Sequence, residues 1–250
     1  MADHPATPTP PPLRQTAGPF LDHLDRWLGT RPRLALPAAA CGLVVVDLVH
    51  GFVDEGPLAS PRVAALVPRV AEMIEGYGRA GGRALCLTED AHPPDAPEFA
   101  AFPPHCLEGS SASRTVPPIL EAAARAGLAP TVLPKATIAP QDYGLLGWAE
   151  AVLDADPATR TLVVAGDVTD LCCYQTVMAL RLFANRPVVA RRLGPLRVVA
   201  TLDGIDTYDL PVEAAATLGV LPHPADLHHA VFAHHLALNG VVVVAAVDWR

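Results

Sequence analysis

Basic residues nowhere cluster in this 250-residue chain, and Asp plus Glu outnumber Lys plus Arg by 26 to 18. A formal charge of −8 without a basic patch argues against a nucleic-acid partner, because phosphate backbones are held by dense positive charge. No uninterrupted apolar run reaches about 18 residues, so no membrane span is expected. The first residues lack the basic start and apolar centre of a secretory signal. Nor is there a C-x-x-C pair among Cys41, Cys86, Cys106, Cys172 and Cys173. An odd number of cysteines cannot close a complete disulfide framework. Free thiols in a reducing compartment, the cytoplasm, are expected instead.

What is present is an apolar chain, 51% hydrophobic and 18% charged, long enough to bury a sizeable core. Residues 1–18 read as a proline-rich extended tail, with five prolines among the first twelve residues, and residues 19–250 as one domain. Phe20, Leu21, Leu24, Trp27 and Leu28 have helical spacing. Leu43 to Leu48, Ala84 to Thr88, Thr131 to Leu133, Thr161 to Ala165, Arg197 to Leu202 and Val241 to Val247 read as strands. Unbroken apolar runs of this kind suit a parallel sheet covered on both faces. Helical patterns lie between them, the clearest being Ser60-Pro61 followed by Val63, Leu66, Val67, Val70, Met73 and Ile74. The fold class predicted is α/β, a single three-layer α/β/α domain. Its sheet is six-stranded and mostly parallel, in the Rossmann-like order 3-2-1-4-5-6.

In such sheets ligands bind beyond the carboxyl ends of the strands. Asp47, then Asp90 and His92, then Lys135, then Cys172 stand at the ends of the first four. Cys172 opens a helix directly after a strand, where backbone N–H groups and the helix dipole favour a thiolate and a developing oxyanion. Taken singly, these residues are equally readable as a turn cap, a solvated lysine and a packed thiol. Together they supply a nucleophile, a base for its proton and a cation to hold the charge.

Three segments resemble the isochorismatase-like cysteine hydrolases. Val46-Asp47-Leu48-Val49-His50-Gly51-Phe52 is similar to V-D-x-Q-N-D-F, departing at His50 and Gly51. Leu133-Pro134-Lys135 matches the family's lysine segment. Gly166-Asp167-Val168-Thr169-Asp170-Leu171-Cys172 matches G-x-x-T-D-x-C. The resemblance implies an Asp47–Lys135–Cys172 triad, with Cys173 as packing. It also implies a cis peptide at Asp167–Val168 and an oxyanion hole from the N–H groups of Val168 and Cys172.

Glu89 to Thr115 is a long proline-rich segment with no periodicity, and long loops of this kind are usually functional. Asp90, His92, Glu98 and His105 offer a mixed nitrogen and oxygen donor set for one divalent ion, zinc first, with manganese or iron as alternatives. A solvated acidic loop is the other reading. D-x-H followed by P-x-H-C resembles the metal loop of the nicotinamidase/pyrazinamidase branch. That resemblance implies an amidohydrolase converting nicotinamide to nicotinate and ammonia through a thioester, with Phe52, Phe102 and Tyr143 around the ring. It also implies a homo-oligomer. The alternatives are another small-amide, carbamoyl or ureido hydrolase, or a degenerate binding protein. His228, His229, His234 and His235 on a late helix are readable as a second metal site or as ordinary histidines, and the second reading is favoured because only Asp226 stands near them at helical ligand spacing.

Overall fold

The computed structural model describes residues 12–156 and 158–250, so residues 1–11 of the expected tail lie outside the described residues. Helix α1 spans Leu13–Gly29, which makes residues 13–18 helical rather than extended. Gly18-Pro19 reads locally as a helix breaker, but the rings of Phe20 and Trp27 pack edge-on against His234. This tertiary contact carries the helix through Pro19.

The chain continues with β1 (Arg33–Leu36), β2 (Cys41–Val46), α2 (His50–Val53), α3 (Pro61–Arg79) and β3 (Ala84–Asp90). Then come α4 (Pro117–Arg125), β4 (Thr131–Lys135), α5 (Leu145–Ala155), β5 (Thr161–Asp167), α6 (Cys172–Ala184) and α7 (Pro187–Leu193). The last elements are β6 (Arg197–Asp206), α8 (Val212–Leu218), α9 (Ala225–Leu238), β7 (Val242–Val244) and β8 (Ala246–Trp249). The six-stranded sheet runs β4-β3-β2-β5-β6-β7, and every pairing in it is parallel. Numbered among themselves, these strands have the expected order. The last apolar run divides at Ala245. Its first part closes the main sheet, while β8 pairs in parallel with β1 in a separate two-stranded sheet. A continuous apolar run cannot reveal such a change of partner.

The unbroken apolar strands are explained by their surroundings. Leu43 and Val45 of β2 enter one core with α3 and α4, while Val44 and Val46 enter the opposite core with α5, α6 and α9. One buried polar group ties the first layer to the sheet. The hydroxyl of Tyr77, with no exposed surface, donates to the Cys41 carbonyl at 2.7 Å and accepts from the N–H groups of Arg83 and Ala84. Tyr77→Phe leaves these backbone groups short of a partner in a dry site. A loss of about 1–3 kcal/mol is expected in chemical denaturation; an unchanged midpoint and slope would contradict the assignment.

Candidate active site

Parallel register places the site. Val46 pairs with Thr88 and with Gly166, and Asp90 pairs with Lys135. The residues at and just past these carboxyl ends therefore face one another. Gly166 makes the closest approach: at φ 118°, a Cβ there would lie 2.1 Å from the Val46 carbonyl oxygen, so only glycine fits. Among the described residues, Asp47 and Cys106 are the non-glycine residues with positive φ, at 50° and 41°. Such conformations cost about 1–3 kcal/mol and collect at functional sites. Thr88 holds Asp47 in place, its hydroxyl donating to Oδ1 at 2.7 Å and accepting from the Asp47 N–H.

Lys135 is the only lysine in the sequence and is 1% exposed. Its Nζ lies 2.7 Å from Asp47 Oδ2, 2.6 Å from Asp90 Oδ1 and 3.8 Å from Cys172 Sγ. Among the described residues Lys135 is the contact that Asp47 Oδ2 makes, which leaves a lone pair for a proton. Asp90 Oδ2 faces the other way, 2.8 Å from His92 Nε2 and 3.1 Å from His105 Nε2.

The two carboxylates beside Lys135 are pushed apart. Burial raises the Asp47 carboxyl above its usual range; Lys135 opposes the rise and Asp90 adds to it. For Asp90 burial also acts upward, but Lys135, His105 and His92 together hold it below the usual range. Asp47 is therefore the more basic of the pair, a division that suits a proton acceptor standing beside a cation ligand. Lys135 is held well above its ordinary value: burial acts against its charge, and Asp47, Cys172 and Asp90 outweigh burial. Cys172 departs from the sequence reading. Burial pushes its thiol well up; Lys135 opposes this, and Asp47, Asp90 and Asp167 add to it. Burial and the three carboxylates thus hold the Cys172 proton against the pull of Lys135, so the sulfur calls for a base to become a thiolate.

Asp90, His92 and His105 offer donor atoms within 4.8 Å of one another, all buried. They fit a divalent cation: two imidazole nitrogens converge on one carboxylate oxygen, and His105 Nδ1 donates to the Pro103 carbonyl at 2.8 Å, the outer contact that orients a ligand histidine. Among the described residues, the Nδ1 of fully buried His92 has no hydrogen-bond partner. Glu98 stands at the edge of this group. Its Oε1 is 3.8 Å from His92 Nε2, while Oε2 accepts from the Ile138 N–H.

Phe52 and Phe102 stand beside His105, with ring centroids at 5.6 and 6.2 Å. Phe99, missed in the sequence, joins them at 5.6 Å from His105 and 5.4 Å from His92. Tyr143 is 36% exposed, and no ring contact or side-chain hydrogen bond among the described residues ties it to the cluster. Gly51 has a local reason: a Cβ there would meet Cys106 Sγ at 2.4 Å. The Asp167–Val168 peptide is cis. Among the described residues no hydrogen bond engages the N–H of Val168 or of Cys172. Cys173, 1% exposed, packs into the core beside α9.

Comparison with known proteins places this geometry among relatives. The Isochorismatase domain family matches residues 41–190. Nicotinamidase 1 of Arabidopsis thaliana is 27% identical over 226 residues, covering 85% of this chain and 88% of that protein. The pyrazinamidase of Pyrococcus horikoshii, solved in complex with zinc, superposes with a TM-score of 0.57 at 18% identity, over 82% of this chain and 98% of that one. The N-carbamoylsarcosine amidase of Thermoplasma acidophilum gives 0.54 at 21% identity, over 82% and 95%. At these identities the two solved structures share the fold.

Proposed function

The chain belongs to the isochorismatase family and is a cysteine hydrolase, and from that premise we propose that it hydrolyses nicotinamide to nicotinate and ammonia. The observation that carries this reading is the placement of Lys135. One buried ammonium touches the basic Asp47, the acidic Asp90 and the Cys172 thiol. Proton transfer, nucleophile and cation-binding triplet thereby meet at one point.

Asp47 Oδ2 takes the Cys172 proton as the sulfur attacks the carboxamide carbon, so the thiolate forms as it is used. The N–H groups of Val168 and Cys172 receive the oxyanion, each worth about 3–4 kcal/mol in comparable sites. Asp47 returns the proton to the departing ammonia, leaving a thioester. It then activates the water that releases nicotinate and restores the thiol. Lys135 stays charged throughout and keeps Asp47 able to accept. A divalent ion held by Asp90, His92 and His105, with Glu98 beside them, would supply a Lewis-acid anchor for the pyridine nitrogen. Phe52, Phe99 and Phe102 form an apolar, aromatic wall next to that anchor, the chemistry that suits a flat heteroaromatic ring. The nicotinamidase relative supports the same substrate.

The fold also serves an N-carbamoyl amidase, so the discriminating experiment is a panel. Ammonia release is measured for nicotinamide, pyrazinamide, an N-carbamoyl amino acid and a ureido compound. The pyridine and pyrazine carboxamides should give the highest kcat/KM, by tenfold or more. An N-carbamoyl substrate turning over faster would replace this assignment with the carbamoyl one.

A further inference from the structure

A second group of ligand side chains lies outside the site described above. Asp170, His223 and His228 bring one carboxylate oxygen and two imidazole nitrogens within 4.8 Å of one another. Asp170 Oδ2 is 2.6 Å from His223 Nε2 and 3.1 Å from His228 Nδ1. These spacings parallel those of Asp90 Oδ2 with His92 and His105, at 2.8 and 3.1 Å.

The mounting is parallel too. His223 Nδ1 donates to the Tyr208 carbonyl at 2.8 Å, as His105 Nδ1 does to Pro103, and this turns Nε2 inward. The Tyr208 ring stacks on His223 at 3.8 Å. Thr207 donates to the remaining Asp170 oxygen at 2.6 Å, which leaves Oδ2 to face the imidazoles. Asp170 and His223 are buried at 5% and 6% exposure, whereas the His228 side chain is 32% exposed. The group is therefore rigid on two sides and open to solvent on the third, the form of a site with an entry path and room for water ligands.

From this geometry we infer that Asp170, His223 and His228 form a second divalent-metal site, of the zinc class. Asp170 lies two residues before Cys172, so the ion ties the loop that carries the nucleophile to α9 and to the segment between α8 and α9. This site is independent of the substrate assignment.

The test counts ions. The full chain is stripped with a chelator, reloaded with excess ZnCl2, desalted and measured by elemental mass spectrometry. Parallel loading with Co2+ gives an absorption spectrum for each site. Wild type should hold close to two ions. His228→Ala, which alters a half-exposed side chain, and His223→Gln should each hold one, and so should His92→Ala. Circular dichroism confirms that each variant is folded. A wild-type count of one, unchanged in His228→Ala and lost in His92→Ala, would overturn the inference and leave Asp170 and His223 as an ion pair. Retention of two ions in either His228→Ala or His223→Gln would overturn the three-residue assignment. A wild type without activity on nicotinamide bears on the proposed reaction alone and leaves this count untouched.

Discussion

Cys172→Ala should abolish ammonia release, with a loss on the order of 10^4- to 10^6-fold, while the protein stays folded. The size of the loss follows from the absence of a substitute. Cys173 is the next thiol along, but it is 1% exposed within the core, and it is the Cys172 sulfur that lies 3.8 Å from Lys135 Nζ. Cys86 and Cys106 are buried too, and burial raises Cys86 to about 12. Removing one sulfur at 8% exposure deletes little packing, so a change of about 1 kcal/mol in stability is expected. Two controls make the result interpretable. Cys173→Ala should keep activity, and Cys172→Ala should keep its metal content. Turnover by Cys172→Ala at the wild-type rate would sink the thioester route.

Lys135→Met should damage both activity and stability. Methionine fills a similar volume but brings no charge, leaving Asp47 and Asp90 facing each other in a buried site. Breaking a buried pair by removing one partner costs about 3–5 kcal/mol, and here one ammonium serves two carboxylates. With the cation gone, only the Thr88 hydrogen bond still opposes burial and Asp90, and the Asp47 carboxyl rises further. It then enters the reaction already protonated and cannot accept from Cys172. Chemical denaturation and ammonia release on the same preparation should both show the loss. A variant as stable as wild type would mean that the pair contributes little. Full activity in that variant would remove Lys135 from the mechanism.

Much of the fold was legible because its signals are local. Leu162 to Ala165 and Leu43 to Val46 are apolar at every position, which a strand with only one buried face would not be, and both lie in the main sheet. Ser60-Pro61 marked the start of α3. Other elements carry weak local signals. The short strand β1 and helices α7 and α8 went unread, since each is only a few residues long and held by its partner. α1 was cut short at Gly18-Pro19 because its support, His234, lies far away in the chain. Phe99 and Thr88 were missed for the same reason: one is placed by a loop, the other by strand register.

The Cys172 thiol shows the limit most clearly. Its position at a helix start, read along the chain, argues for a lowered pKa, since dipole and N–H groups are features of sequence order. Burial and the crowd of Asp47, Asp90 and Asp167 depend on where four strands end, and they reverse the direction.

The sequence by itself determined the α/β class, the strand order and the residue types at the carboxyl ends, because hydrophobic periodicity and the G-x-x-T-D-x-C segment are one-dimensional patterns. Only the tertiary structure decided which charges meet. It set Lys135 between two carboxylates, made Asp47 the more basic of them, and gave His223 and His228 a carboxylate partner, Asp170, as far as 58 residues away. Electrostatic coupling falls off with distance through space, and sequence separation carries almost no information about that distance.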